Sequence, residues 1–232
     1  MRESPPWQWL NLWGLDAPLI ALVWQDYLSH HHPSAGSAVL ALTVWAIYLT
    51  DRLLDIRHAP LEGETARHRF CRKHRRSIRI LLCLVLCADL GIACLWVRPA
   101  VFKYGLLVMT GVVIYLAVFP VTRRGAAAWK KPVAALLFTA GVFVAAENLS
   151  WTAVAFFALC LSNLLMIESW EHGRELKRGW LWMAVLSVCC AGWFWPVSAG
   201  AAGLALLSLS EIPTDVRCVL ADVVLLSPVL FR

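Results

Sequence analysis

Charge is scarce in this sequence. Only 16% of its 232 residues are Asp, Glu, Lys or Arg, whereas a soluble domain carries about 25%. Regular alternation of apolar and polar positions is also rare; long apolar runs are broken by short basic segments. With 60% of the residues hydrophobic, this pattern excludes an ordinary soluble core. It predicts helices in a bilayer, where about 20 apolar residues cross the hydrocarbon and the backbone satisfies its own hydrogen bonds. No CxxC pair occurs among the eight cysteines (71, 83, 87, 94, 160, 189, 190 and 218). Most fall in apolar runs, so they are expected to be buried free thiols rather than metal or redox ligands. The start, MRESPPWQWLNLWG, lacks a basic segment followed by an apolar run, so no cleavable leader is expected. Trp7, Trp9 and Trp13 suit interfacial anchors there. With no internal repeat, low-complexity tract or linker, residues 1–232 are expected to form one transmembrane helical domain.

Nine apolar runs lie between breakers, at 14–29, 36–55, 78–97, 100–119, 131–146, 150–170, 178–194, 196–210 and 213–231. The division near 195 rests on Pro196, which either joins two helices or kinks one. These runs predict an all-α, polytopic membrane bundle of about nine spans. Cytoplasmic loops collect Lys and Arg. With the N-terminus inside, 18 of the 21 Lys and Arg residues fall on the cytoplasmic side, leaving Arg98, Lys103 and Arg232 outside. The net charge of +6 then describes juxtamembrane loops. Membrane lipids with anionic headgroups, or a phosphorylated ligand, fit it as partners, and nucleic acid does not.

Two acidic groups stand at the cytoplasmic ends of spans. In WAIYLTDRLLDIRHAP, Asp51 and Asp55 are four apart, on one helix face with Cβ atoms about 6 Å apart. In SNLLMIESWEHGRELKRG, Glu168, Glu171 and Glu175 share a face, and Asn163 lies about 80° round the same helix from Glu171. Carboxylates on one face repel. A divalent cation relieves that repulsion, and Mg²⁺ suits the arrangement because it takes one or two carboxylates, waters and substrate phosphates. The competing structural reading pairs these acids with neighbouring cations, as Asp51 with Arg52 and Glu171 with Arg174. Basic residues complement the acids: Arg52 between the aspartates, Arg69 in ETARHRFCRKHRR, and Lys130 and Lys131 at the start of the fifth run. Carboxylate-bound metal with Arg and Lys holds a diphosphate leaving group, although ordinary headgroup contact accounts for most of the basic run.

The stretch YLTDRLLD resembles the first aspartate-rich motif, NDxxDxxxD, of the UbiA superfamily of membrane prenyltransferases, some of whose relatives are terpene cyclases. Asp51 and Asp55 match its last two aspartates, with Arg52 between them. Glu171 and Glu175 match the closing DxxxD of the second motif with glutamates, and Lys130 and Lys131 resemble the basic pair that opens the fifth helix. The leading Asn-Asp is Ile47–Tyr48 here. The resemblance implies nine helices and Mg²⁺ held by Asp51, Asp55, Glu171 and Glu175. It also implies an isoprenyl diphosphate ionised at the cytoplasmic mouth of an apolar cavity. Glu168 and Asn163 are further candidate ligands. Arg52, Arg69, Lys130 and Lys131 are candidate diphosphate contacts. Trp24, Trp45, Tyr48 and Trp170 are candidate aromatic faces for a carbocation, each contributing about 0.5–2 kcal/mol, though Trp and Tyr are also common interface anchors. Two other classes fit: an inactive UbiA-like protein that binds lipid or isoprenoid, and a transporter, suggested by Asp26, Asp89 and Asp222 within apolar runs. The triplet His30–His32 is a weak metal candidate.

Overall fold

A computed structural model describes residues 9–29, 34–58, 66–119, 127–144, 151–171, 173 and 179–231. Among these residues the secondary structure is helical throughout, with no strand. The elements are α1 (Trp9–Leu12), α2 (Asp16–Ser29), α3 (Ala35–His58), α4 (Ala66–Lys73), α5 (Arg75–Trp96), α6 (Pro99–Val118), α7 (Ala127–Phe143), α8 (Trp151–Glu171), α9 (Gly179–Cys190), α10 (Trp195–Leu209) and α11 (Thr214–Val224), followed by a 3₁₀ turn, Ser227–Phe231. Each of the nine expected apolar segments overlaps a helix within the described residues. Pro196 does separate two helices: it occupies the first turn of α10, where its missing N–H costs nothing.

Among the described residues four helices are long and apolar enough to cross a membrane, at Ala35–Ile56, Arg75–Trp96, Pro99–Val118 and Trp151–Glu171. The others fall short of nine full spans for physical reasons. The 12 residues of α9 reach only about 18 Å, against a hydrocarbon core of about 30 Å. α11 has 11 residues and carries Asp215, Arg217 and Asp222. Large apolar side chains such as Leu84, Leu90, Leu107 and Ile114 point outward from α5 and α6, more apolar surface than a soluble monomer exposes. The membrane assignment rests on these helices.

The chain divides into two compact units, one of residues 1–22 and 30–127, the other of 23–29 and 128–232. In the first, Leu49 and Ile56 of α3 pack with Cys71 of α4 and Ile78 of α5. Thr43 Oγ1 donates to Asp89 Oδ2 at 2.7 Å, so α3 and α5 run antiparallel. Arg98 is extended before Pro99, because proline disfavours the helical conformation in its predecessor; this ends α5 and starts α6. In the second unit, Trp24, Phe156, Leu159, Val197 and Leu204 are fully buried. α8 supplies much of this core: 44% of its most apolar window is buried, against 11% for α3, α5 and α6. Lys131 with Glu168 ties α7 to α8, Asn163 with Asp222 ties α8 to α11, Ser198 with Ser187 ties α10 to α9, and Arg217 holds Ser210 across the turn between α10 and α11.

Gly14 joins α1 to α2 with φ +66°, and a Cβ there would overlap the Tyr48 ring. Glycine alone suits both demands. Gly14→Ala is expected to cost about 2–4 kcal/mol, from left-handed backbone strain and overpacking together. Thermal unfolding in detergent measures it, and an unchanged melting temperature would contradict the account.

Four of the cysteines, Cys71, Cys160, Cys190 and Cys218, are buried as expected, but Cys83, Cys87, Cys94 and Cys189 are exposed, and all eight are free. A helix apolar on every side gives hydropathy no inner and outer face to distinguish, which explains the miss.

Candidate functional site

Asp51 and Asp55 lie in the last two turns of α3 and are both half-buried. The i,i+4 spacing sets them on one face, and the Tyr115 phenol near the end of α6 is within electrostatic reach of both. Tyr115 is 7% exposed. α3 and α6 pack directly, with Tyr115 close to the end of α3, so the two run parallel; the start of α5 lies at the same end, where Ile78 packs with Ile56. Cys71, Arg72 and Arg75 gather at this end, because Cys71 feels Arg52, Arg75, Asp55 and Arg72. Burial pushes the Cys71 thiol up, three guanidinium groups pull it down and Asp55 raises it further; burial dominates, and the thiol stays protonated at neutral pH.

Arg52 has a defined structural task. Its Nη1 donates to Leu12 O at 2.9 Å and its Nη2 to Asn11 O at 2.8 Å. These are carbonyls at the end of α1, where helical partners run out. The guanidinium also stacks 4.4 Å from the Tyr48 ring centroid, a cation–π contact. Trp45 is half-buried, and its indole N–H donates to Trp13 O at 2.9 Å. The two aromatic candidates of α3 thus brace α1 and the turn that follows it. Arg69 is exposed on α4, whose Phe70 packs edge-on against Trp13 at 5.2 Å.

The remaining candidates belong to the second unit. Lys131, at the start of α7, forms an ion pair with Glu168 near the end of α8. That pair brings together two of the expected residues and sets both on one end of the unit. Lys130 is half-buried, and Glu171 is exposed at the last residue of α8. At the same end Arg217 lies 5.4 Å from the Trp170 ring centroid and donates to Ser210 O and Ile212 O. Asn163 is 5% exposed. Its Nδ2 donates to Asp222 Oδ1 at 3.3 Å, while its Oδ1 is buried without a hydrogen-bond partner among the described residues. Asp89 and Asp222, each set within an apolar run, therefore each hold a polar partner on a neighbouring helix, as polar groups withdrawn from water require. Trp24 is wholly enclosed: its ring lies 4.4 Å from Phe156 and its N–H donates to Leu225 O at 2.7 Å. Glu175 and His30–His32 lie outside the described residues.

Among the described residues no three His, Cys, Asp or Glu side chains assemble into a metal-binding group. This is compatible with Mg²⁺, which takes one or two protein carboxylates and completes its shell with waters and phosphate oxygens. The donor set of Asp51 and Asp55 fits that demand. Tyr115 is the residue that sequence reasoning missed. Its signal was topological: the end of the α6 run must return to the side of the first acidic pair. Comparison of the chain with protein-family models, with curated proteins and with solved structures finds no match.

Proposed function

We propose that the chain is a Mg²⁺-dependent membrane enzyme of the UbiA type, with nine membrane-associated helices and a cytoplasmic N-terminus, that ionises an isoprenyl diphosphate. The observation that carries this reading is the half-buried pair Asp51 and Asp55 on one face at the end of an apolar span. Cations and Tyr115 are gathered at the same end of that unit. Asp51 and Asp55 would hold the metal, which would neutralise phosphate charge as the leaving group departs. In the second unit Glu171 and Glu175 are the candidates for the second motif, while Glu168 is engaged by Lys131 and the Asn163 amide by Asp222. Arg69, exposed on α4 in the same unit as Asp51 and Asp55, would hold diphosphate oxygens as charge builds on them. Arg52, committed to the α1 carbonyls, acts chiefly by fixing the α3 end that carries both aspartates.

In the reaction the allylic C–O bond breaks and its electron pair leaves with the diphosphate. The carbocation is then captured by an acceptor nucleophile, or by a double bond of its own chain followed by loss of a proton. The isoprenoid tail occupies apolar surroundings, where it has no water to displace. Tyr48, beneath the Arg52 guanidinium, is the aromatic candidate nearest the acidic pair in sequence.

Purified protein given geranyl, farnesyl and geranylgeranyl diphosphate with Mg²⁺ is expected to release diphosphate from at least one, and chelation by EDTA to stop it. A hydrocarbon or alcohol formed without acceptor, seen by gas chromatography, identifies a cyclase; product only with an added acceptor identifies a transferase. A second reading, an inactive isoprenoid-binding protein, is favoured by Ile47 and Tyr48 at the start of the first motif and by the structural use of Arg52. Saturable binding of all three substrates without turnover would select it.

A further inference from the structure

The apolar run 213–231 does not form one helix. α11 ends at Val224, where Leu225 N turns to Asp222 O and Leu226 N to Val223 O, and a separate 3₁₀ turn starts at Ser227. The break is held by packing within the second unit. A Cβ on Gly203 of α10 would overlap the Val224 side chain, so α10 comes close to the end of α11 at that point. Past the break, Ser227 Oγ donates to Pro196 O at 2.7 Å.

Asp222 stands in the last turn of α11, where a carboxylate adds to the negative end of the helix dipole. That turn holds no basic residue. Arg217, the basic residue of α11, donates instead to Ser210 O and Ile212 O and lies over Trp170. Facing Asp222 from α8 is Asn163, which is 5% exposed. Its Nδ2 donates to Asp222 Oδ1 at 3.3 Å, and its Oδ1 is buried with no hydrogen-bond partner among the described residues. Leu159, one turn before Asn163, and Ala221, beside Asp222, are wholly enclosed, so the surroundings are apolar. A carboxylate, an unsatisfied carbonyl oxygen and a helix C-terminus meeting there all call for positive charge. Half a turn of the Asn163 amide brings Oδ1 to the carboxylate, and two oxygens so placed are joined only by a cation or a proton.

We propose that Asp222 and Asn163, with the carbonyl end of α11, form a Na⁺-binding site in the second unit. Interrupted helices in membrane proteins hold Na⁺ in this way, with the C-terminal end of the broken helix turned to the ion. One carboxylate balances one positive charge, which suits a monovalent ion. Mg²⁺ keeps several of its waters when bound, and apolar walls give those waters nothing to bond. Asp222 is half-buried, which leaves the ion an approach. The site draws on neither Asp51 nor Asp55, and a chain that turns over no diphosphate would still bind the ion.

The test uses the full chain in neutral detergent, with choline chloride replacing NaCl at constant ionic strength. Na⁺ is expected to raise the melting temperature along a saturating curve, as a ligand of the folded state does. Radioactive Na⁺ should bind saturably, and Mg²⁺ should not displace it. Asp222→Asn keeps the size and removes the charge, and should weaken Na⁺ binding by at least about thirty-fold. Asn163→Leu removes the carbonyl oxygen and should weaken it by about ten-fold. Asn163→Asp supplies a second carboxylate and should turn the preference from Na⁺ to Ca²⁺, which takes carboxylate oxygens readily. Asp89→Asn, in the first unit, should leave Na⁺ binding unchanged. Should Asp222→Asn fail to fold, the wild-type titration and Asn163→Asp still decide. The inference is overturned by a wild type that Na⁺ stabilises no better than choline, or by undiminished Na⁺ binding in folded Asp222→Asn. It is overturned too by an Asn163→Asp protein that prefers Na⁺ as before, or by a stabilisation set by pH and indifferent to Na⁺, which would make the occupant a proton.

Discussion

Asp55→Ala is expected to lower diphosphate release by at least about a hundred-fold while leaving the helical content of the protein intact. Removing one preorganised charged group from a phosphoryl site costs that much or more. Asp55 is half-buried at the C-terminal end of α3, outside the Leu49–Ile56–Cys71–Ile78 core, and helical circular dichroism separates a loss of fold from a loss of activity. Asp55→Asn is the sharper variant, because it keeps the volume and one acceptor oxygen but removes the charge that attracts Mg²⁺. If Asp55 acts through the metal, the Asn variant should need more Mg²⁺ for half-maximal rate, and added Mg²⁺ should recover part of the loss. Asp51→Asn should behave alike, since the two carboxylates share a face. Lys131→Met should have a smaller effect than either, because Lys131 is already engaged by Glu168. Full activity in Asp55→Ala would remove the metal role from the pair.

What the sequence disclosed and what it concealed follow from the range of the forces involved. Helix positions were readable because each apolar run is local, and the breakers at Pro99 and Pro196 act on the residues beside them. Each unit gathers charges locally: Asp55, Arg72 and Arg75 all act on Cys71 in the first, and Lys131 meets Glu168 in the second. The 8-residue α4 was hidden inside a basic segment. A helix so short has little stability of its own; it exists because Phe70 and Cys71 pack against α1, α3 and α5. Arg52 was read as a diphosphate contact because its neighbours are acids, yet its hydrogen bonds go to carbonyls 40 and 41 residues away. Asn163 was assigned to an ion from its place on the Glu171 helix; the structure pairs its amide with Asp222, 59 residues later. Long-range partners of this kind have no signature in periodicity or spacing. The short lengths of α9 and α11 were likewise obscured, because hydropathy reports an apolar stretch and not where its backbone stops being helical.

Trp24 shows the same difficulty at its largest, and its replacement is expected to cost more stability than any other single change considered. Trp24→Ala should destabilise the protein by about 3–5 kcal/mol, the range for emptying a buried aromatic site. The side chain is 0% exposed, its ring lies 4.4 Å from Phe156 and 5.8 Å from Phe194, and its N–H satisfies Leu225 O just before the 3₁₀ turn. Losing the ring opens a cavity in the middle of the second unit. Losing the N–H also leaves a buried carbonyl without that donor, at about 1–3 kcal/mol. Trp24→Phe separates these terms: it keeps most of the packing and loses only the hydrogen bond, so about 1–2 kcal/mol is expected. The pair of variants also distinguishes packing from a carbocation-facing role. A residue that stabilises a cation with its ring should tolerate Phe in folding and yet alter product distribution. A residue that locks α2 to α8 and the chain's end should change the melting temperature in the order Trp, Phe, Ala and leave the products unchanged. An enclosed ring whose polar atom is already bonded is placed for the second outcome, and a Trp24→Ala protein that melts like the wild type would refute it.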